Sequence, residues 1–254
     1  MSQTIAISGK GGSGKTTLAG LIIRTLAERT GKSVLAVDAD PNACLGPMLG
    51  VEPETTVGEI RDAALERKLQ TGPGMDRERA VEYAIHRAVA EADGFDLLTM
   101  GHTEGPKCYC AVNNLLRKYL NQASRDYQWV VLDNEAGMEH LSRRTTDAVD
   151  LLIVAAEPTA IGAKTAHRIL GLADRLPVTI KQKGVVWNKV YEAKHVEALA
   201  GDLPTLAAVP FDTALAEASL TGTPLFDLPA ASPAVEAVGE AMVEALGIPA
   251  TQPS

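Results

Sequence analysis

The chain has 254 residues, of which 46% are hydrophobic, and carries a net charge of −8 with an isoelectric point near 5.2. This acidic balance argues against a broad electrostatic grip on nucleic acid or an anionic membrane. The length suits one sizeable α/β core, and no linker-like segment divides it, so we expect residues 1–254 to form a single domain. No signal peptide is evident, no apolar run approaches the roughly 18 residues that span a bilayer, and only three cysteines are present. We therefore expect a cytoplasmic protein from a reducing compartment.

Short apolar runs alternate with longer helix-like segments, as in a parallel sheet covered on both faces. Strands are predicted near Thr4–Ser8, Ser33–Val37, Asp96–Met100, Trp129–Leu132, Leu151–Ala155, Gly184–Val190 and Leu206–Val209. The clearest predicted helices are Thr17–Glu28, Asn113–Asn121, Thr159–Arg175 and Val235–Leu246. Residues 52–91 are charged and helix-prone without a clean apolar stripe, with a break at 71–74, and indicate a surface excursion or a mobile helical insertion. We expect the tail, 249–254, to be frayed.

The first strand leads into a glycine-rich segment, Gly9-Lys10-Gly11-Gly12-Ser13-Gly14-Lys15-Thr16, which fits G-x-x-x-x-G-K-[ST]. A strand before it and a helix after it complete the context of a phosphate-binding loop. Backbone N–H groups would surround the phosphates at the positive end of the helix dipole. The expected nucleotide contacts are Gly11, Gly12, Ser13, Gly14, Lys15, Thr16 and Thr17, with Lys15 on the β- and γ-phosphates and Thr16 on Mg²⁺. The sequence thus predicts an α/β P-loop NTPase with a mostly parallel central sheet flanked by helices on both faces.

An additional lysine, Lys10, precedes the loop glycines. Lys-Gly-Gly-x-Gly-Lys-Thr resembles the deviant Walker A sequence of the superfamily that includes nitrogenase iron protein and the MinD and ParA ATPases. In that superfamily the early lysine reaches the partner subunit's nucleotide. The resemblance implies a homodimer that closes on ATP, with Lys10 and Lys15 both catalytic, in the manner of a charge supplied in trans. The alternative is a solvated lysine beside the phosphates of its own subunit.

Two aspartates follow predicted strands, at the edge where active groups of open α/β sheets gather. Asp40, in Val-Asp-Ala-Asp-Pro, matches the superfamily residue that orients or activates the attacking water. Asp133 ends the run Val130–Asp133, looks like a Walker B carboxylate, and would hold Mg²⁺ together with Thr16. The next residues, 134–137, stand where the superfamily carries its second switch, and Glu135 is an alternative water-orienting base.

Base recognition is predicted at the ends of the last two strands. Relatives use an asparagine to hydrogen-bond adenine where this chain has Asn188-Lys189, and pack backbone around the base where it has Val209-Pro210-Phe211. The guanine-reading pattern Asn/Thr-Lys-x-Asp is absent from the sequence. We therefore expect ATP rather than GTP, although Asn188 could also be a plain strand-end amide.

Cys108 and Cys110 form a C-x-C pair between the third and fourth predicted strands. One pair leaves Ni²⁺ or Zn²⁺ incompletely coordinated, whereas two pairs across a twofold axis supply four sulfurs to one ion. Two ordinary turn cysteines are the alternative. Cys44 stands alone, and we expect it to be a small packing residue rather than a ligand.

Together, the deviant Walker A loop, Val-Asp-Ala-Asp-Pro followed by Cys44-Leu45-Gly46, Cys108-Tyr109-Cys110, residues 136–141 and Asn188-Lys189-Val190 resemble the CooC family. These proteins are nickel-inserting accessory ATPases of carbon monoxide dehydrogenase. The resemblance implies ATP hydrolysis, nucleotide-dependent dimerisation, an interfacial nickel or zinc site and carbon monoxide dehydrogenase as client.

Two other classes remain open. One is an ATP-dependent reductase with an iron–sulfur cluster on the dimer's four thiolates, although nitrogenase iron protein uses cysteines far apart in sequence. The other is a MinD- or ParA-type positioning ATPase. The acidic residues of the predicted C-terminal helix, Glu236, Glu240 and Glu244, are unlike a basic membrane anchor.

Overall fold

A computed structural model describes residues 2–66, 77–102, 117–119, 126–135 and 148–250. Its strands are β1 (Gln3–Gly9), β2 (Val34–Asp38), β3 (Ala90–Glu91), β4 (Phe95–Thr99), β5 (Trp129–Asp133), β6 (Ala148–Ala156), β7 (Thr179–Val190) and β8 (Thr205–Pro210). They form one sheet in the order β3-β4-β2-β5-β1-β6-β7-β8. Every neighbouring pair is parallel except β3 with β4. The predicted fold class is confirmed.

Helices cover both faces because side chains alternate along each strand. Ile5 and Ile7 lie in the core cluster on one face, and Ala6 lies in the cluster on the other. The face of Ile5 is covered by α1 (Lys15–Thr30), α2 (Leu45–Leu49), α7 (Thr213–Thr221), a 3₁₀ turn (Leu225–Asp227) and α8 (Pro233–Leu246). The opposite face is covered by α3 (Val57–Leu65), α4 (Arg77–Arg87), α5 (Ala160–Ala173) and α6 (Ala193–Ala200). None of these described helices is both long and apolar enough to cross a bilayer.

The seven predicted strands are all present, and the described residues contain one further strand that was not predicted. β3 is two residues long and pairs antiparallel at the sheet edge, so it is too short to show a period-two pattern. β7 begins at Thr179, five residues before its predicted start, because the polar stretch Thr179–Lys183 continues the pairing with β6. Pairing with β6 therefore extends β7 beyond its apolar residues.

The prediction that residues 52–91 lack an apolar stripe was wrong for their described parts. α3 begins with a capping box between Thr56 and Glu59 and buries Val57, Ile60 and Ala64 on one face. α4 contributes Val81 and Ile85 to the same core cluster, and Ala88, directly after the helix, also belongs to it. Small alanines in a charged background concealed this stripe. The break at 71–74, most of the helix predicted at Asn113–Asn121 and the end of the tail, 251–254, lie outside the described residues.

The central strands bring their carboxyl ends together. β1 lies between β5 and β6, and β2 is the next strand beyond β5. In this register Asp133 is opposite Ile7 on one side and Asp38 on the other. The loop after β1 therefore begins beside two strand-end carboxylates, at the place where open α/β sheets bind ligands.

Candidate active site

The segment Gly9–Thr16 connects β1 to α1 and folds as a tight loop. The Ser13 N–H and hydroxyl both donate to the Lys10 carbonyl, at 3.2 and 2.8 Å. Gly14 precedes α1 with a left-handed φ of 86°, and a Cβ at this position would lie 2.2 Å from Asn188 Nδ2. Among the described residues no side chain caps the start of α1, so N–H groups of its first turn are left for another acceptor. That arrangement is suited to an anion.

Two buried carboxylates, Asp38 and Asp133, lie side by side where β2 and β5 end. Asp38 Oδ2 accepts a 2.8 Å bond from the Leu45 N–H, and its Oδ1 accepts a 3.2 Å bond from the Asp40 N–H. Burial raises the pKa of Asp38 to about 6, against these bonds, and the Asp40 charge adds to the rise. The sequence analysis assigned Asp38 no role, although this residue is the carboxylate that ends β2.

Asp133 differs because neither of its two buried carboxylate oxygens accepts a well-formed hydrogen bond from the described residues. Burial raises its pKa to about 7, with a contribution from the Asp38 charge. The nearby Thr16 hydroxyl and Lys15 ammonium act in the opposite direction without saturating the carboxylate. Orphaned carboxylate oxygens beside a threonine hydroxyl are oxygen ligands of the kind that Mg²⁺ prefers. These residues fit a magnesium ion.

Asp40 lies in the loop after β2 and is only partly buried. Its Oδ1 accepts from the backbone N–H and the side-chain amide of Asn42, at 2.9 and 2.8 Å. Ala43, next in this loop, has a left-handed φ of 51°. The loop places Asp40 beside Asp38 at the same sheet edge, where a water-orienting carboxylate would stand.

Cys44 is exposed, so the prediction that it is a packing residue was wrong. Its Sγ is 3.7 Å from the Asn42 carbonyl. Partial burial raises the pKa of the thiol, as do the charges of Asp38, Asp40 and Asp133. This electrostatic setting disfavours the thiolate that a metal would need.

After β5 the chain is anchored by Asn134. Its N–H and side-chain amide both donate to the Ile7 carbonyl, at 3.3 and 2.9 Å. Glu135 follows and is half-buried. The rest of the predicted second switch, from residue 136, lies outside the described residues.

Asn188 and Lys189, at the end of β7, both contact the glycine-rich loop. Asn188 is buried, and its Nδ2 donates to the Ser13 carbonyl at 3.0 Å. A side-chain amide nitrogen carries two hydrogens, so a second bond to a base remains possible. The Lys189 ammonium donates to the Gly12 carbonyl at 3.1 Å and to Glu157 Oε1, beyond β6, at 2.7 Å. The structure brings both residues to the phosphate loop, and the Glu157 contact was not predicted.

The predicted base segment ends β8. Val209 is fully buried, Pro210 pairs with Val190, and the Phe211 N–H donates to the Val190 carbonyl at 2.9 Å. The Phe211 ring stacks on Tyr191 with centroids 4.7 Å apart and an interplanar angle of 16°. Both rings are partly open, with 39% and 71% of their surface exposed. Tyr191 was not predicted, and a ring directly after β7 is the signal that could have identified it.

Asp212 fixes the position of this base segment. Its carboxylate caps α7 through the N–H groups of Ala214 and Leu215, at 2.9 and 3.3 Å. It also accepts from the Ser232 hydroxyl and from the Ala234 N–H at the start of α8. Burial by itself would raise the pKa of Asp212, but these bonds lower it overall. One carboxylate therefore anchors two helices beside the base segment.

Lys10 is exposed near the start of the loop. It lines a cavity of about 250 Å³ together with loop residues, Glu157 and the start of α5, including Ile161. The Ile161 side chain is 64% exposed although it is apolar. The position of Lys10 is compatible with a contact outside its own subunit.

Cys108 and Cys110 lie outside the described residues. Within the described part of the chain, no group of three or more His, Cys, Asp or Glu residues could hold a metal ion. The predicted sulfur site therefore depends on the sequence pattern alone.

A mostly parallel sheet, a glycine-rich loop between its first strand and first helix, and buried carboxylates beside that loop define a P-loop nucleotide-binding ATPase. The family model described as the CobQ/CobB/MinD/ParA nucleotide binding domain matches residues 4–225. The chain belongs to this family.

The chain is also similar to two sequence relatives and to one solved structure. An uncharacterised ATP-binding protein of Methanocaldococcus jannaschii is 43% identical over 89% of this chain and 91% of its own length. The carbon monoxide dehydrogenase accessory protein CooC of Rhodospirillum rubrum is 33% identical over 96% and 97%. A septum site-determining protein MinD of Pyrococcus horikoshii, solved with Mg-ADP, superposes with a TM-score of 0.69 at 22% identity, covering 96% of each chain. The last likeness establishes the fold.

Proposed function

We propose that this ATPase is a CooC-type metallochaperone, which carries nickel as cargo between two subunits and serves the maturation of carbon monoxide dehydrogenase. The observation that carries the proposal is the C-x-C pair, Cys108 and Cys110, within a chain that matches CooC along 96% of its length. Two such pairs across a twofold axis would give one ion four thiolates.

ATP would bind with its phosphates on the glycine-rich loop. Lys15 is buried at the loop and lies near Asp133, so it provides a fixed positive charge for the β- and γ-phosphates. The first-turn N–H groups of α1 supply further donors. Thr16 and Asp133 would hold Mg²⁺, which supplies positive charge that offsets the negative charge developing on the phosphates.

Hydrolysis needs a group that orients water. Asp40 is suited to this because its carboxylate is partly exposed at the strand edge, whereas Asp38 is fully buried and bonded to backbone. Asp38 instead positions the loop, since its two oxygens hold the N–H groups of Asp40 and Leu45. Glu135 is the competing candidate for water positioning.

The base would lie at the ends of β7 and β8. The Asn188 amide can donate to adenine while retaining its bond to Ser13, and Val209, Pro210 and Phe211 provide the adjacent surface. Lys189 holds the loop from the same strand end.

Metal stoichiometry tests the chaperone role. Wild-type protein, purified without oxygen, should bind about one Ni²⁺ or Zn²⁺ per two chains, as tetrahedral coordination by four thiolates requires. Metal bound between subunits must also shift the equilibrium toward dimer. Cys108→Ser and Cys110→Ser should each remove tight metal binding. The matched control Cys44→Ser should not, because burial and the nearby carboxylates raise the pKa of the Cys44 thiol.

Other results would redirect the assignment. One tightly held ion per chain, or full binding by a strictly monomeric form, would contradict an interfacial site. Strong visible absorption from iron and sulfide that is lost in Cys108→Ser would favour the iron–sulfur reductase. The ATPase assignment is independent of either outcome.

Lys10→Ala tests the coupling of nucleotide to the dimer. We expect the variant to bind ATP but to fail to dimerise with a non-hydrolysable analogue, because the exposed Lys10 charge would no longer reach the partner's phosphates. Sedimentation with ADP and with the analogue measures this. A variant that dimerises and hydrolyses ATP at the wild-type rate would identify Lys10 as a solvated lysine.

A further inference from the structure

Two consecutive residues of β7 hold two consecutive carbonyls of the phosphate loop. Asn188 donates to the Ser13 carbonyl at 3.0 Å, and Lys189 donates to the Gly12 carbonyl at 3.1 Å. Consecutive side chains of a regular strand point to opposite faces and could not both reach one loop. The left-handed backbone of Lys189, with φ of 58°, breaks this alternation. A strained non-glycine residue thus coincides with the double contact.

The two bonds control where the loop's N–H groups point. A trans peptide is planar, so its N–H is directed opposite to its carbonyl. Holding the Ser13 carbonyl outward turns the Gly14 N–H the other way, and holding the Gly12 carbonyl does the same for the Ser13 N–H. That N–H closes the turn onto the Lys10 carbonyl at 3.2 Å. Asn188 and Lys189, at the end of β7, therefore determine how the glycine-rich loop curves.

Glu157 orients the Lys189 ammonium toward the Gly12 carbonyl. Its Oε1 lies 2.7 Å from the Lys189 Nζ, and the two side chains are 40% and 46% exposed. The carboxylate offsets the lysine charge and fixes the ammonium beside the Gly12 carbonyl. The contact joins the ends of β6 and β7 to the loop after β1, and these are neighbouring strands of the sheet.

We propose that Lys189, oriented by Glu157, is a positioning residue that shapes the phosphate loop through the Gly12 carbonyl, and does not contact the nucleotide. This inference rests on the proposed assignment of the phosphates to the glycine-rich loop. It is independent of the metal role.

The test measures ADP binding by calorimetry, and KM and kcat for ATP, in Lys189→Met. Loss of one bond of net worth near 1 kcal/mol predicts about fivefold weaker ADP binding. KM should rise by a similar factor with kcat nearly unchanged, because the loop binds ground state and transition state alike. Lys181→Met is the control: Lys181 pairs with Asp150 at the other end of β7, and its loss should change neither constant.

Glu157→Gln decides between the two roles by the sign of its effect. If Glu157 orients Lys189 toward the carbonyl, the variant binds ADP more weakly, and the double variant is no weaker than Lys189→Met. If the ammonium contacts phosphate, removing its carboxylate partner tightens ADP binding and overturns the proposal. Unchanged ADP affinity in Lys189→Met would also overturn it.

Two further measurements separate other causes. Should Lys189→Met melt too early to assay, the Glu157→Gln affinity, weaker or tighter, still decides. Lys15→Ala tests the loop assignment itself: normal ADP binding by that variant would refute the phosphate site. Loss of binding in Lys15→Ala with wild-type constants in Lys189→Met would refute the positioning role alone.

Discussion

The two halves of the site differ in how completely their polar groups are satisfied. The phosphate half comprises the glycine-rich loop and the ends of β6 and β7, where Asn188 and Lys189 hold loop carbonyls. The carboxylate half comprises the ends of β2 and β5, where Asp133 buries two oxygens that accept no well-formed hydrogen bond within the described part of the chain. In the phosphate half the protein itself holds the loop carbonyls and leaves N–H donors of α1 for an anion, whereas the carboxylate half has oxygens that a cation can bind.

The largest expected effect comes from the phosphate half. Lys15→Ala should lower ATP hydrolysis by at least about 10³-fold, because loss of a clamping cation from a phosphoryl-transfer site has effects of this order. Steady-state hydrolysis assays and ADP calorimetry measure it. Substantial residual turnover would show that the phosphates lie elsewhere and would remove the phosphate half from the comparison.

Asp40→Ala should slow hydrolysis by about 10²-fold, the scale of a positioned acid–base group, while ATP binding is largely kept. The nucleotide-bound dimer should then accumulate, which sedimentation with ATP would show. Glu135→Gln is the comparison variant. Normal hydrolysis by Asp40→Ala together with a slow Glu135→Gln would transfer the water-orienting role to Glu135.

The smallest effect concerns stability and contrasts the two buried carboxylates directly. Without Mg²⁺ and at a pH above the pKa of about 7, Asp133→Asn should raise the free energy of unfolding by about 1–3 kcal/mol, since it removes a buried charge that the Thr16 hydroxyl and the Lys15 ammonium offset only in part. The melting temperature should rise by several degrees, at about 2–4 °C per kcal/mol. Mg²⁺ added to the ADP-bound protein should stabilise the wild type further and should have little effect on the variant.

Asp38→Asn is the matched control for this experiment. Asp38 is equally buried, but both of its oxygens accept backbone N–H bonds, so an amide would oppose one of these donors. We expect it to lower the melting temperature. A loss of stability in Asp133→Asn equal to that in Asp38→Asn would show that Asp133 is satisfied after all and would abolish the contrast.

The sequence by itself determined the fold class, the seven main strands and the position of the phosphate loop. Alternating apolar runs and the spacing from Gly9 to Thr16 are local, and local patterns survive in one dimension. It also placed Asp40 and Asp133 at the carboxyl edge of the sheet, because Asp133 ends β5 and Asp40 lies two residues beyond the end of β2. The sequence analysis missed the buried apolar faces of α3 and α4. These faces include small alanines among many charged residues, so the sequence looked like that of a surface helix.

Only the tertiary structure decided which groups meet. Asp38 and Asp133 are 95 positions apart, and strand register places them side by side. Lys189 is separated from Gly12 by 177 positions and from Glu157 by 32, and its left-handed backbone directs its ammonium to both. Asp38, whose carboxylate accepts backbone hydrogen bonds, and Asp133, whose carboxylate does not, are both simply aspartate in the sequence. Their difference arises from burial and from the N–H groups that the fold brings within reach, and neither is encoded locally.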